Sequence, residues 1–161
     1  MNANQELITK FYTAFQNKDI TGMQECYSDQ ATFSDPVFTN LNAKELRSMW
    51  AMLIQSGKDM RIEFSAVESI ENGARAHWDA YYTFSATGNK VLNQVDAHFV
   101  IENGKIIQHQ DQFDFYKWSK QALGLTGMLL GWTSFLRNKV RKQASAKLAA
   151  YISRKNPGIN L

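Results

Sequence analysis

The sequence predicts an α+β protein in which helices cover one face of a mainly antiparallel sheet. The first third of the chain carries apolar side chains at the three- and four-residue spacing of amphipathic helices. The middle contains β-rich segments separated by three turn sequences, Asn72-Gly73, Thr87-Gly88-Asn89 and Asn103-Gly104. Helices followed by a meander of strands are typical of this fold class.

Three helices are predicted before the meander. The first begins near Asn4 and carries one apolar stripe, which consists of Leu7, Phe11 and Phe15. A second, short helix covers about residues 20–27. The third begins with a capping-box pattern, in which Asn42 is followed three residues later by Glu45, and ends at Gly57.

The meander is predicted to contain four strands, at about residues 60–70, 74–84, 91–101 and 105–114. A short extended segment at residues 31–36 precedes the third helix and stops at Pro36, because proline cannot continue a central strand. After Asp114 the pattern is helical again. One piece is expected over residues 118–124, and a longer one over 126–155 that Asn156-Pro157-Gly158 ends.

Composition and charge point to a folded domain with an unusual tail. An apolar content of 44% and a charged content of 20% are ordinary for a globular protein. The net charge of +3 is unevenly distributed, because residues 1–114 hold nine basic and 15 acidic side chains, whereas residues 115–161 hold nine basic and no acidic ones. We therefore separate a domain at residues 1–116 from a basic, amphipathic helical extension at residues 117–161, which we expect to pack on the same domain.

Several sequence features indicate the compartment. Cys26 has no partner for an intrachain disulfide, and the first residues lack the pattern of a signal peptide. No apolar run approaches the roughly 20 residues that cross a bilayer. We expect a cytoplasmic protein.

Alternation along the strands places polar side chains in apolar surroundings. In the last strand His109 and Asp111 share a face with Ile107 and Phe113, while glutamines occupy the other face. In the strand at 74–84 one face carries His77, Asp79 and Tyr81, and the other carries Trp78, Tyr82 and Phe84. We expect the two His-x-Asp sets to share a buried face. They are either acid/base groups or structural pairs satisfied by hydrogen bonds.

The strand at 91–101 allows two registers. A two-residue Asn103-Gly104 turn would put His98 on the side of His109, whereas a three-residue loop with a bulge would put Ala97 there. We favour the second register because Val95, Ala97, Phe99 and Ile101 then form one continuous apolar set.

A family resemblance rests on four segments and their order. They are Phe11-Tyr12-Thr13-Ala14-Phe15, then Asp19 with Tyr27-Ser28-Asp29, then Phe33-Ser34-Asp35-Pro36, and the closing hairpin from Gly104 to Asp114. Over about residues 4–116 the chain resembles the nuclear-transport-factor-2-like superfamily, also called SnoaL-like or ketosteroid-isomerase-like. The resemblance implies a cone in which a curved sheet wraps around helices, a pocket inside it, and frequent dimerisation through the sheet.

Two enzyme families within this superfamily allow a comparison by residue. Asp35 falls where ketosteroid isomerases have their catalytic base, but Phe11 and Ala97 stand where the oxyanion donors would be, so steroid isomerisation by that route is not expected. Asp79 and Asp111 look like the two acids of limonene-epoxide hydrolases. The helper positions of that family look like His77, Phe33 and Asp35. The resemblance therefore implies acid/base chemistry on a small molecule rather than epoxide opening in particular.

These observations lead to a functional prediction. We expect an acid/base enzyme of hydrolase, isomerase or lyase type that acts on an apolar small substrate. The candidate catalytic residues are Asp111, Asp79, His77, His109 and Asp35, and the candidate ligand-binding residues are Phe11, Phe33, Trp50, Tyr81, Ala97, Phe99 and Phe113. No cofactor or metal is expected, because residues two apart on a strand converge on an ion only with further ligands, and no phosphate-binding loop is present.

Alternatives remain for the function and for the tail. The domain could bind an apolar ligand without converting it, or the basic C-terminal helix could make the protein a peripheral membrane or scaffold protein. We favour docking of the tail on the acidic domain, with Met128-Leu129-Leu130 as a lid over the pocket, and expect no contact with nucleic acid or membranes. A homodimer through Trp78, Tyr82 and Phe84 is expected, since that apolar face would otherwise be exposed.

Overall fold

The computed structural model describes residues 1–156 and confirms the α+β class. The helices are α1 (Ala3–Gln16), α2 (Ile20–Glu25), α3 (Ala43–Ser56), α4 (Phe115–Leu123), α5 (Leu125–Leu130) and α6 (Ser134–Lys155). The strands are β1 (Tyr27–Ser34), β2 (Arg61–Ile70), β3 (Gly73–Phe84), β4 (Asn89–Glu102) and β5 (Lys105–Gln112). The three predicted N-terminal helices and the four-stranded meander are therefore present.

The strands form one curved, unclosed sheet in the order β1-β5-β4-β3-β2. The meander is antiparallel, as predicted, but β1 runs parallel to β5 and pairs with it at Thr32–Gln108 and Phe33–His109. This long-range pairing was not predicted from the sequence. It places the first strand beside the strand that carries His109 and Asp111.

Local signals place the helix ends. Asn42 accepts a hydrogen bond from the backbone N–H of Glu45 at 2.9 Å, so α3 begins where the sequence predicts, and Gly57 is its C-cap. Asp114 caps α4 in the same way through the N–H of Lys117, at 3.0 Å. Helix α4 therefore begins at Phe115, three residues before the predicted start.

A bulge in β5 decides which side chains enter the core. Asn103 and Gly104, with φ angles of 50° and 70°, form a two-residue turn, and not the three-residue loop we favoured. The pairing then shifts from Ile101–Ile106 to Val100–Gln108, which leaves Ile107 as an extra residue. The expectation that Ala97 lies beside the polar residues of β5 is nevertheless confirmed, since Ala97 pairs with Asp111.

We call the two sides of the sheet the inner and the outer face. The inner face carries Ala76, Trp78, Ala97, His109 and Asp111, which are buried beneath α1 and α3. The outer face carries the neighbouring residues of each strand, including His77, Asp79, Asp96, Gln110 and Gln112. Alanines on β3 and β4 leave room for the large rings of the helices, so the concave side of the sheet is filled by aromatic side chains.

The C-terminal helices make specific contacts with the rest of the chain. The Trp118 indole of α4 donates to Tyr82 Oη on β3 at 2.7 Å. In α6, Arg141 Nε donates to the carbonyl of Pro36 at 2.8 Å, and Leu148 is buried in the core. None of the helices in the described residues is long and apolar enough to cross a membrane.

Two expectations for the tail need correction. The helix predicted over 126–155 is broken at residues 131–133, and Thr133 caps α6. The prediction that Met128-Leu129-Leu130 forms a lid is wrong, because Met128 and Leu129 are 54% and 60% exposed rather than turned onto the domain. The cause is Gly127, which packs so closely on the backbone of Ser119 that a Cβ atom would clash there, and α5 therefore presents its large side chains to solvent. Pro157 and Gly158 of the predicted stop, and the last residues of the extension to 161, lie outside the described residues.

Candidate functional site

A chain of hydrogen bonds crosses the inner face between two tryptophans. Trp50 Nε1 lies 2.9 Å from Tyr27 Oη, which lies 2.7 Å from His109 Nδ1. His109 Nε2 lies 2.9 Å from Asp111 Oδ1, and the Trp78 indole nitrogen approaches the same oxygen at 3.5 Å. We call Trp50, Tyr27, His109, Asp111 and Trp78 the buried polar chain. Every residue in it is at most 8% exposed.

The donors fix one consistent arrangement of protons in this chain. An indole N–H only donates, so Tyr27 Oη accepts from Trp50 and passes its own proton toward His109 Nδ1. His109 then carries its proton on Nε2 and donates it to Asp111. The arrangement aligns three polar groups so that a change of charge on Asp111 is felt by the imidazole and the phenol.

Aromatic rings surround the imidazole of His109. Its ring centre lies 4.2 Å from that of Phe99, 5.0 Å from Phe33 and 5.7 Å from Phe11. Trp50 stacks on it at 5.9 Å. Water is excluded by this packing, so electrostatic interactions along the buried polar chain are stronger than they would be at the surface.

Tyr12 is the one buried side chain of the described residues whose polar atom has no hydrogen-bond partner. Its ring is fully buried and stacks on Phe64. Burial raises the pKa of Tyr12 well above its usual value, and the nearby negative charge of Asp111 raises it further. An unsatisfied buried hydroxyl requires an explanation, and a bound ligand or water supplies one.

Asp35 lies at the rim of the inner face, in the turn that follows β1. One carboxylate oxygen accepts the backbone N–H groups of Val37 and Phe38 at 2.7 and 2.6 Å. Burial raises the pKa of Asp35 to about 7; the two hydrogen bonds oppose the rise, Asp111 adds to it and Arg141 opposes it. Asp35 therefore changes charge near neutral pH.

The second His-x-Asp set lies on the opposite side of the sheet. His77 bonds Asp96 on β4 at 2.7 Å and Asp79 at 3.1 Å, and these side chains are 33%, 74% and 22% exposed. The hydrogen bond that His77 donates to Asp96 raises the pKa of His77, and the one to Asp79 raises it further against the effect of burial. The expectation that His77 and Asp79 share a face with His109 and Asp111 is wrong, because β3 turns its alanines and Trp78 inward.

The positions of Trp78, Tyr82 and Phe84 on β3 contradict the expected dimer surface. Trp78 lies in the core, and Tyr82 and Phe84 pack beneath α4 beside Trp118, so these three residues are not an open outer surface. A homodimer stays a prediction without this surface as its basis. Tyr81, an expected ligand-binding residue, lies on the outer face under the guanidinium of Arg61, 4.1 Å from the ring centre.

Most of the expected pocket wall does come together. Phe11, Phe33, Trp50, Ala97 and Phe99 are all buried on the inner face around His109. They fill the space and pack against one another, with edge-on ring contacts such as Phe33–Trp50 at 5.5 Å. Phe113 is half-buried and joins the core to the cluster beneath α4.

Two clefts open at the surface. The first, of about 390 Å³, lies where β4 and β5 diverge and is lined by Gln94, Asp96, Phe113 and Lys117 among others. The second, of about 360 Å³, lies between α6 and the start of α3 and is lined by Leu41, Leu148 and Ile152. Neither is lined by His109 or Asp111, but Phe113 in the first is two residues from Asp111. Within residues 1–156, no three His, Cys, Asp or Glu side chains gather as a metal would require.

Sequence reasoning missed three members of the site. Tyr27 was recognised only as part of a family motif, although alternation along β1 puts it on the same side as Ala31 and Phe33. Tyr12 was likewise recognised only as part of a family motif. Trp78 was assigned to the wrong face, so its indole N–H was not considered as a donor to Asp111.

The family follows from the extent of a sequence match. The model of the SnoaL-like domain matches residues 8–109, more than half of the 161 residues. The chain belongs to the SnoaL-like family. The resemblance stated from the motifs around Tyr27 and Asp35 is thereby confirmed. No curated protein matches this SnoaL-like chain.

Solved structures confirm the NTF2-like fold. An LEH-like epoxide hydrolase from M. tuberculosis is 16% identical, with a TM-score of 0.61 over 80% of this chain and 96% of the other. IdmH from Streptomyces antibioticus, a proposed polyketide cyclase, is 18% identical, with a TM-score of 0.62 over 74% and 97%. TerC, co-crystallised with polyporic acid, is 16% identical, with a TM-score of 0.65 over 74% and 98%. At these identities the likeness establishes the fold alone.

Proposed function

We propose that this SnoaL-like protein is an acid/base enzyme of isomerase, lyase or hydrolase type, acting on an apolar small molecule that carries a carbonyl or similar oxygen. The observation that carries the proposal is that the Asp111 carboxyl group and the unpartnered hydroxyl of Tyr12 are both buried in the same aromatic interior. A base and a free hydrogen-bond donor in one interior suit a reaction that removes a proton while negative charge develops on a substrate oxygen.

Each polar group then has a distinct part. Asp111 accepts the proton, and Tyr12 donates a hydrogen bond to the substrate oxygen. His109 and Tyr27 hold the carboxylate in place and adjust to its change of charge, which makes them positioning residues. Asp35, with a pKa of about 7, supplies or takes up a second proton at the rim. His77 and Asp79 are not part of this proposal, because they lie on the outer face.

Access is proposed to run through the cleft beside Phe113. Phe113 lines this 390 Å³ cleft and is two residues along the chain from Asp111. The interior aromatic rings fill the space around His109, so substrate must displace side chains in order to reach the carboxylate. A half-buried ring at the boundary between two apolar clusters is suited to such a movement.

The first test compares two substitutions of the same kind on opposite faces. The protein and its Asp111→Asn and Asp79→Asn variants are incubated with a panel of cyclic ketones, esters and epoxides, and conversion is followed by mass spectrometry. For a substrate converted by the parent protein, we expect Asp111→Asn to lose about 100-fold or more in turnover. Asp79→Asn should retain it. Near-UV circular dichroism checks that both variants are folded.

Two outcomes would contradict the assignment. Full turnover by Asp111→Asn would remove Asp111 as the base, and an equal loss in Asp79→Asn would move the chemistry to the outer face. Tyr12→Phe isolates the oxyanion donor, because it removes only the hydroxyl, and we expect a loss of about 100-fold with an intact fold.

A second candidate is binding without conversion, which the dense aromatic lining of the interior favours. In that case Tyr12 and Asp111 would fix the orientation of an apolar ligand. Thermal-shift measurements with the same panel distinguish the two functions, since a compound that raises the unfolding temperature and is recovered unchanged supports binding alone.

A further inference from the structure

An exposed apolar surface lies between α4 and α6, on the far side of α5 from the domain. We call it the apolar tip, and it consists of Leu125, Met128, Leu129, Leu130, Trp132 and Phe135. These side chains are between 41% and 74% exposed and belong to neither core cluster. A contiguous group of large apolar side chains at the surface of a folded protein marks a site of contact with a membrane or with another protein.

The apolar tip is an ordered structure and not an unfolded segment. The Trp132 indole donates to the carbonyl of Leu129 at 3.0 Å, and Tyr116 Oη donates to the carbonyl of Met128 at 3.0 Å. The hydroxyl of Thr133 donates to the carbonyl of Leu130. These local bonds satisfy polar groups of the turn, which lowers the cost of moving the tip into a less polar environment.

Positive charge surrounds the apolar tip. Residues 115–156 carry nine Lys and Arg side chains and no Asp or Glu. Lys117 and Lys120 precede the tip and Arg137 and Lys139 follow it, all exposed. The preceding part of the chain holds 15 acidic and nine basic side chains, so the two ends of the molecule differ in sign.

We propose that the apolar tip inserts into the interfacial region of an anionic lipid bilayer. Tryptophan and phenylalanine at the tip would enter the boundary between headgroups and acyl chains, and the flanking Lys and Arg would contact anionic headgroups. The acidic domain is repelled by the same surface. The charge distribution therefore orients the protein with α5 toward the lipid and the sheet away from it.

A second copy of the chain fits the apolar tip less well. Most protein dimers have a two-fold axis, so a contact through the tips would bring two regions of entirely basic charge together. The proposal replaces the expectation of no membrane contact, which went with docking of the whole tail on the acidic domain. Leu136 and Leu148 are covered, whereas Trp132 and Phe135 are not.

The test is flotation of the full-length protein with vesicles of phosphatidylcholine alone or mixed with phosphatidylglycerol. We expect binding to the mixed vesicles that weakens as salt is added. A Trp132→Ser/Phe135→Ser double variant should bind about tenfold more weakly or not at all. The matched control is Ile70→Ser, which removes an exposed apolar side chain at the end of β2 and should bind as the parent protein does.

Fluorescence gives an independent readout from the same sample. Trp50, Trp78 and Trp118 are buried, and Trp132 is 74% exposed, so a change on adding vesicles reports mainly on the tip. Insertion predicts a blue shift and quenching by brominated lipid. A Lys139→Gln/Lys142→Gln variant, which changes two exposed side chains, should weaken binding at low salt, while its near-UV circular dichroism stays unchanged.

Three results would overturn the proposal. They are the absence of flotation with mixed vesicles, equal flotation of the parent protein and the Trp132→Ser/Phe135→Ser variant, and a parent dimer that this double variant converts to a monomer without any lipid binding. The last result, measured by light scattering after gel filtration, would assign the apolar tip to a second copy of the chain.

Discussion

The two faces of the sheet each carry a His-x-Asp set, and the two sets have different surroundings. On the inner face His109 and Asp111 are at most 2% exposed and continue into Tyr27 and the indoles. On the outer face His77 lies between two carboxylates, and the Asp96 side chain is 74% exposed. The same His-x-Asp pattern therefore produces a sequestered polar chain on one side and a solvated charge cluster on the other. The surroundings decide which set can do chemistry.

The difference shows that the same residue types affect stability differently when they are exposed and when they are buried. Surface ion pairs are screened by water and contribute little to stability, so the outer set can change without much consequence. Buried polar groups are expensive unless every partner is present. The inner set therefore constrains the fold around it, including both tryptophans and the first residue of β1.

Replacing His109 or His77 by alanine should give the largest difference in stability between the two faces. His109→Ala leaves Tyr27 without its acceptor and Asp111 without its main donor, and it opens a cavity among aromatic rings. We expect the free energy of unfolding to fall by about 3–5 kcal/mol. His77→Ala should cost less than about 1 kcal/mol. Urea denaturation measures both, and similar losses would show that the two faces are energetically equivalent after all.

Asp35→Asn tests the half-buried acid in the turn that follows β1. Because the folded-state pKa is raised from 3.8 to about 7, the folded protein holds a proton that the unfolded chain loses, and stability falls as pH rises through that window. The variant should lack this dependence on pH. At pH 8 its free energy of unfolding should exceed that of the parent protein by at most about 4 kcal/mol. Urea titrations at intervals from pH 4 to 8 check it, with Asp79→Asn as the outer-face control. A parent protein with no slope between these pH values would contradict the assignment.

The smallest effect on stability is expected for His77, Asp79 and Asp96 on the outer face. The pKa of His77 is raised by Asp96 first and then by Asp79, so its contribution to stability is present below about pH 6.5 and is lost as pH rises through its folded pKa. Asp96→Asn should lower the free energy of unfolding by less than about 1 kcal/mol at pH 6 and not at all at pH 9. The imidazole pKa, followed by NMR, should fall in the same variant. An unchanged value would remove Asp96 as the main cause.

Much of the fold could be predicted because its signals are local. Caps such as Asn42 and turns such as Asn103-Gly104 act within a few residues, and the alternation of Val95, Ala97 and Phe99 indicates the apolar side of β4. The parallel pairing of β1 with β5 could not be predicted in this way. It joins segments more than 70 residues apart, and neither strand has a sequence pattern that identifies the strand it pairs with.

The site was predicted only in part for a related reason. Alternation assigns residues to two faces within one strand, but it does not say which face of one strand continues into which face of the next. On β5 the neighbours of His109 and Asp111 resolved this question. On β3 both faces contain aromatic residues, and the repeated His-x-Asp spacing favoured the wrong one. Tyr12 could not be singled out at all, because only the folded structure shows that its buried hydroxyl has no hydrogen-bond partner.

The unpaired residue in β5 links the closing turn to the side of the sheet on which His109 and Asp111 lie. If Ile107 were paired with Val100 in a ladder without the bulge, the two-residue turn would pair Asp96 with Asp111 and His98 with His109, and the last strand would turn its glutamines toward the helices. The acid and the imidazole would then meet solvent together with the charges of the other face. One residue left out of the ladder, close to the turn, thus decides whether the acid and the imidazole lie among the aromatic rings or at the solvent-exposed side of the sheet.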